Sequence, residues 1–208
     1  MQYKTTKRIL DVTFSAALLA AGALPMVAVA ALVRLDSPGP AIFKQTRLGL
    51  GGKPFTMYKF RSMQVDSEHT GSGVYSRRGD PRVTRVGAVL RKTSIDELPQ
   101  LVNIFKGDMS FIGPRPVLTY HPWPFEEYTD EQKKRFAVRP GVTGWAQVNG
   151  RKTAMWQERL KYDAEYADNL SLRFDLKILA RTVGEILSAR DNENEGETVT
   201  AERAGSDA

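Results

Sequence analysis

The chain has 208 residues, enough for one domain with a full core and too few for two comfortable ones. It contains no cysteine, which excludes a disulfide framework, a zinc ribbon and a thiol nucleophile and leaves any chemistry to carboxylates, hydroxyls and two histidines. Its formal charge is +6, and setting aside the six acids and two arginines between Arg190 and Ala208 leaves a body of +10, suited to nucleotides, an anionic membrane face or nucleic acid.

From Val12 to Val33 the only polar residues are Thr13 and Ser15, and at ~1.5 Å per residue a helix of this length reaches across a bilayer's hydrocarbon core. Lys4, Lys7 and Arg8 precede it, and Arg34, Lys44, Arg47 and Lys53 follow. Both ends therefore prefer the cytoplasm. Pro25, three residues after Gly22, removes a hydrogen bond near the middle and provides a place to bend. A re-entrant membrane helix over residues 1–35 satisfies both observations. A straight span is the first alternative, and a secretory leader with Ala28-Val29-Ala30 as its cleavage site is the second. Asp11 at the entrance, and an apolar run that continues past that site to Val33, speak against the leader.

Asp36-Ser37-Pro38-Gly39-Pro40 ends the helix. A strand is predicted over 41–45, and the glycine-rich stretch from Arg47 to Lys53 follows. It is no phosphate loop, because Arg47 stands where the Walker pattern needs glycine and Pro54 follows Lys53. A hairpin turn with glycines at positive φ is expected instead, returning as a strand over 55–61. Alternation along that strand places Lys59 and Arg61 on one face as candidate substrate-binding cations. Residues 64–80 read as a lid-like loop. Asp80-Pro81 is expected to start a short helix carrying Arg91 and Lys92 at the end that runs into Asp96.

Further on, a charged helix is predicted over 129–138. An irregular, glycine-hinged stretch from Arg139 to Arg151 follows. Its Arg139, Gln147, Asn149 and Arg151 suit a nucleotide pocket, and a plain structural loop fits the same composition. Helices are predicted over 154–169 and 175–188. In the second, Leu176, Leu179, Val183, Ile186 and Leu187 form a stripe that serves either core packing or an interfacial contact with a membrane. Residues 36–188 form one catalytic domain in this reading, and 189–208 an acidic, disordered tail. The fold class is α+β: a small, mostly helical domain with a β-hairpin, an N-terminal re-entrant membrane helix and amphipathic interfacial helices.

Polar chemistry concentrates between Ser94 and Pro116. Ser94-x-x-Glu97 fits a capping box, with Asp96 as a first-turn acid that favours the helix dipole. Pro99 removes a hydrogen bond inside such a helix, so the regular helix can instead begin there. Either way the helix dipole favours the ionised carboxylate. An aspartate can attack phosphorus to give an acyl phosphate, a glutamate can hold Mg²⁺ alongside substrate phosphates, and Arg91 and Arg115 can neutralise developing phosphoryl charge. His69 and His121, lacking ligand spacing, read as surface or packing residues.

Six blocks in order carry a resemblance over Lys7 to Leu187: Lys7-Arg8-Ile9-Leu10-Asp11, Gly39-Pro40-Ala41-Ile42-Phe43, Tyr58-Lys59-Phe60-Arg61-Ser62-Met63, Leu90 to Gln100, Gly107 to Pro116, and Arg139-Pro140-Gly141-Val142-Thr143-Gly144. The chain resembles the bacterial sugar transferases, the monotopic polyprenyl-phosphate phosphoglycosyl transferases, in what looks like their minimal catalytic form. The resemblance implies a re-entrant helix at the inner membrane with the catalytic domain on the cytoplasmic face. It implies Mg²⁺, and transfer of a sugar 1-phosphate from a UDP-sugar to undecaprenyl phosphate with release of UMP. Asp96 would be the nucleophile, Glu97 the metal ligand, and Arg91 and Arg115 would lie near the phosphates. Many members carry serine before the helix-breaking proline, where this chain has Leu24-Pro25. The expected partners are the UDP-sugar, undecaprenyl phosphate, membrane lipid and, in assembly, a second copy of the chain. The alternative is a membrane-tethered nucleic-acid-binding protein, motivated by the +10 body. The absence of aromatics interleaved with the basic residues argues against it.

Overall fold

A computed structural model describes residues 2–70, 73, 79–149 and 156–187, which places the expected tail and Arg151 outside the described residues. Its first element, α1 (Gln2–Asp36), continues through Pro25 as one helix. One side of it is built into the body along its whole length. Tyr3 and Lys7 donate to Asp175, Arg8 donates to the carbonyls of Ile104 and Phe105, and Asp11 accepts from Ser110 Oγ and Phe111 N. Leu19, Met26, Val29, Ala30 and Val33 then continue the same stripe at three- and four-residue spacing. At the far end Asp36 accepts from Val86 N.

The other side faces out. Phe14, Leu18, Leu24, Val27 and Leu35 are exposed, Leu24 and Leu35 by more than 80%. The apolar window of this helix has a mean hydropathy of 2.3, and only 6% of it is buried. A helix so apolar and so uncovered is not the core helix of a water-soluble domain. Its contacts at residues 3, 7, 8 and 11 also make it a working part of the fold, which a cleaved leader would not be.

Strands β1 (Ile42–Leu48) and β2 (Pro54–Phe60) form the expected antiparallel hairpin, with Phe43 opposite Lys59, Gln45 opposite Met57 and Arg47 opposite Phe55. Gly51 and Gly52 turn the chain with φ of 67° and 72°, and a Cβ on Gly52 would lie 2.4 Å from the Phe125 ring. Gln45, Arg47, Met57 and Lys59 share one face of the hairpin, the face that meets the centre of the molecule, while Leu48 and Phe60 at the strand ends are buried on the other.

Helix α2 (Arg85–Thr93) starts later than Asp80-Pro81 predicts, with Thr84 as its N-cap. The Asp80 carboxylate is engaged elsewhere, gripped by the Arg82 guanidinium at 2.7 Å. A 3-10 turn over Ile95–Glu97 leads into α3 (Gln100–Lys106), whose N-cap is Pro99. Buried Asn103 ties α3 to β2, donating to Thr56 O at 2.7 Å and accepting from Tyr58 N at 3.0 Å. Met57, Leu101, Ile104 and Met109 pack between them.

The predicted helix over 129–138 is α4 (Asp130–Lys133) followed by a 3-10 turn, opened by a capping box of Thr129 and Gln132. The stretch from Arg139 is more regular than its composition indicates. Strand β4 (Gly141–Thr143) pairs in parallel with β3 (Ser110–Ile112), and α5 (Trp145–Asn149) follows. The backbones approach so closely there that a Cβ on Gly113 would lie 2.2 Å from Arg139 O, and one on Gly141 2.1 Å from Gly113 N. Helices α6 (Trp156–Asp168) and α7 (Leu172–Leu187) close the domain. In α7 Asp175 and Ile178 are buried, while Leu172, Leu176, Leu179 and Val183 face outward, so the described part of the stripe is not core. The architecture is α+β, as the sequence implies.

Candidate active site

Ser94 does not cap a helix through its side chain. With φ of 58° it closes α2 in the left-handed region, and the chain then reverses into the 3-10 turn that displays Asp96 and Glu97 at the foot of α3. From the hairpin, Lys59 reaches across and donates to Glu97 Oε1 at 2.6 Å, and Arg115 Nη2 lies 3.6 Å from the same oxygen. Burial pushes the Glu97 carboxyl up, but Lys59 and Arg115 outweigh it and hold it at about 2. Burial likewise lowers the Lys59 ammonium, with Glu97 opposing.

Asp96 is treated differently by its surroundings. Among the described residues its carboxylate has no hydrogen bond and no ion pair. Burial raises its pKa against the pull of Lys59, Arg91 and Arg115, with Glu97 adding to the rise. Two adjacent acids thus have separated properties: Glu97 is locked as a paired carboxylate, and Asp96 is an unengaged one in a cationic surround. Divergent environments of this kind assign different chemical roles.

A fourth cation stands close by. Arg47 donates to Gln45 Oε1 and to Pro116 O, and burial followed by Arg115 lowers its guanidinium to about 10. Arg47, Lys59, Gln100, Arg115 and Gly141 line a small cleft beside the dyad. The roomier groove along α6, lined by Gln157, Glu158, Lys161, Tyr162 and Glu165, belongs to that helix alone and has no such convergence.

The structure brings together Lys59, Asp96, Glu97 and Arg115, with Arg91 within electrostatic reach of Asp96. It sends Arg61 elsewhere. β2 ends at Phe60, and the Arg61 side chain turns to the C-terminus of α1, donating to Pro40 O, Ser37 Oγ, Ser37 O, Val33 O and Gly39 O. At 4% exposure it is a helix clamp and not a substrate ligand. Arg61→Met is therefore expected to lower stability by about 3 kcal/mol. A thermal melt should show this, with the KM for the donor unchanged in the folded fraction.

Three further candidates are occupied within the scaffold. Arg139 Nε donates to Gly107 O at the C-terminus of α3, Gln147 Nε2 donates to Val142 O, and Asn149 Nδ2 donates to Trp145 O while its Oδ1 accepts from Arg181. These bonds give Arg139 and Asn149 structural roles, while Gln147 Oε1 is buried without a partner among the described residues. Arg47 and Gln100 were missed as site residues, although the alternation that singles out Lys59 puts Arg47 on the same face of the hairpin.

Comparison with known proteins identifies the family. The profile of the bacterial sugar transferases matches residues 2–189. An uncharacterized sugar transferase, EpsL, of Bacillus subtilis is 44% identical over 95% of this chain and 94% of its own length. A UDP-glucose:undecaprenyl-phosphate glucose-1-phosphate transferase of Caulobacter vibrioides is 47% identical over 88% of this chain and 70% of its own. A UDP-N-acetylgalactosamine-undecaprenyl-phosphate N-acetylgalactosaminephosphotransferase of Aeromonas hydrophila is 42% identical over 89% of this chain, which spans only 44% of that longer protein. With a match that begins in α1 and ends beyond α7, the chain belongs to the bacterial sugar transferase family.

Proposed function

We propose that this protein transfers a sugar 1-phosphate from a UDP-sugar to undecaprenyl phosphate at the membrane surface, with Asp96 as the nucleophile. The observation that carries the reading is the contrast within the dyad. Glu97 is held by Lys59 and Arg115, whereas the Asp96 carboxylate engages nothing among the described residues and faces the same cations.

In the first displacement Asp96 attacks the sugar-bearing phosphorus. The bond from that phosphorus to the bridging oxygen breaks, and UMP leaves with that oxygen and its electron pair. In the second, a phosphate oxygen of undecaprenyl phosphate attacks the same phosphorus, the acyl phosphate bond breaks, and Asp96 returns to a free carboxylate. Arg115, Lys59 and Arg91 meet the charge on the equatorial oxygens throughout. The products are UMP and an undecaprenyl diphosphate sugar, which makes this the first membrane step of a glycoconjugate.

The donor set fits Mg²⁺ in a particular way. Among the described residues no group of three or more acids or histidines gathers. Glu97, whose Oε2 is outside the ion pairs that Lys59 and Arg115 make with Oε1, would hold the ion together with substrate phosphates, as suits a cation that keeps few protein ligands. When bound, the ion neutralises charge on the diphosphate and the departing UMP.

Membrane placement rests on α1. Both of its ends are fastened to the same body, through Lys7 and Asp11 at one end and Val33 and Asp36 at the other, and both flanks are basic. This supports entry and exit on one face, the cytoplasmic face of the inner membrane. Cysteines introduced as Thr5→Cys and Pro38→Cys are expected to react with an impermeant maleimide from the same side. Labelling from opposite sides would establish a straight span.

The reaction is tested by incubating purified protein in lipid nanodiscs with undecaprenyl phosphate, Mg²⁺ and a panel of donors that includes UDP-glucose and UDP-N-acetylgalactosamine. UMP release that requires the lipid acceptor is the expected result. Absence of UMP release with every UDP-sugar in the panel would count against the reading.

A further inference from the structure

Arg115 sits in a segment that cannot hold itself in place. Gly113 N donates to Thr143 O at 2.9 Å, but Pro114 and Pro116 lack N–H groups, so the stretch from Pro114 to Val117 is held through its carbonyls. Each of those from Pro114 to Val117 receives a donor: Gly141 N at 2.9 Å, Arg135 Nη2 at 2.7 Å, Arg47 Nη1 at 3.2 Å and Leu48 N at 2.9 Å, in that order. Of these four, the bond from Arg135 falls on the main chain of Arg115 itself.

Arg135 is an unusual residue to find there. Its side chain and that of Asp163 are 3% and 4% exposed, and they form an ion pair of 3.0 Å beside an apolar cluster of Leu48, Val117, Tyr128, Phe136 and Leu160. Arg135 Nε and Nη1 and Asp163 Oδ1 make no hydrogen bond among the described residues. Burial drives the Asp163 carboxyl up to about 6 although Arg135 and Arg159 pull the other way. A buried, partly satisfied ion pair of this kind is a poor source of stability, and apolar residues of similar volume often pack better. Something other than stability accounts for it.

We propose that Arg135, oriented by Asp163, is a positioning residue: it clamps the main chain at Arg115 so that the Arg115 guanidinium is presented to Glu97 and to the phosphates. The proposal rests on the role given to Arg115 above. It acts through one hydrogen bond, from the guanidinium to the carbonyl of the residue it places, and it needs no contact between Arg135 and substrate.

The test is a double-mutant cycle on turnover and melting temperature. Arg135→Met combined with Asp163→Leu removes the pair while keeping the volume. The expected variant melts no lower than the original protein, loses roughly thirtyfold or more in kcat with a nearly unchanged KM for the UDP-sugar, and responds weakly to Arg115→Ala. In the unaltered protein Arg115→Ala is expected to cost about a hundredfold in kcat, and in the paired variant about threefold or less. Equal costs in the two backgrounds overturn the proposal, because a purely structural pair leaves the contribution of Arg115 intact. If the apolar pair does not fold, Arg135→Lys, which keeps the charge but loses the planar fork, is carried through the same cycle with the same two outcomes. Full turnover by Arg115→Ala alone would instead overturn the reading of the site, and this proposal with it.

Discussion

Asp96→Asn is expected to abolish turnover, by at least roughly a thousandfold, without unfolding the protein. Asparagine has the same shape, but its amide cannot form an acyl phosphate, so both displacements lose their common intermediate. The fold should tolerate the change because the Asp96 carboxylate holds nothing in place among the described residues, and its burial already works against its ionised form. With donor labelled on the sugar-bearing phosphate and no lipid acceptor, the original protein is expected to retain label and then release it when acceptor is added. The variant should retain none. A variant that carries label or completes transfer would remove Asp96 from the chemistry.

Lys59→Met has the second large effect, and it divides differently between stability and rate. The ammonium lies 2.6 Å from Glu97, with side-chain exposures of 17% and 18%, so its loss leaves a largely buried carboxylate facing Arg115 at 3.6 Å. Removing one partner of such a pair costs about 3 kcal/mol. Turnover should fall about a hundredfold as well, since Glu97 loses its fixed orientation and the phosphates lose a cation. Adding Glu97→Gln removes the stranded charge, so the double variant is expected to recover most of the melting temperature and none of the activity. If the double variant melts as low as Lys59→Met alone, the ion pair is not what Lys59 contributes to the fold.

The residues of the dyad were legible because their evidence is local: two adjacent acids, a proline where a helix must begin, and an arginine fixed between prolines. Lys59 was legible from the alternation of one strand. The same alternation misassigned Arg61, since periodicity gives a face but not a destination, and the strand ends one residue before it. The stretch after Arg139 was read as irregular because β4 is three residues long and its parallel partner lies some thirty positions earlier, too short and too distant for any periodic pattern. Arg135 and Asp163 were invisible for a related reason. Nothing within either helical turn announces that the two will meet under the backbone of Arg115. The stripe on α7 was legible as a stripe, yet an apolar face does not say what it faces, and here it is turned away from the core.

The buried carboxylate of Asp11, accepting from Ser110 and Phe111 just ahead of the arginine-bearing segment, has a consequence for biogenesis. Because α1 precedes β3 in the chain, Asp11 is synthesised before the Ser110 and Phe111 that it engages. A body made without α1 would leave Ser110, Phe111 N and Asp175 without the Asp11, Tyr3 and Lys7 side chains that engage them.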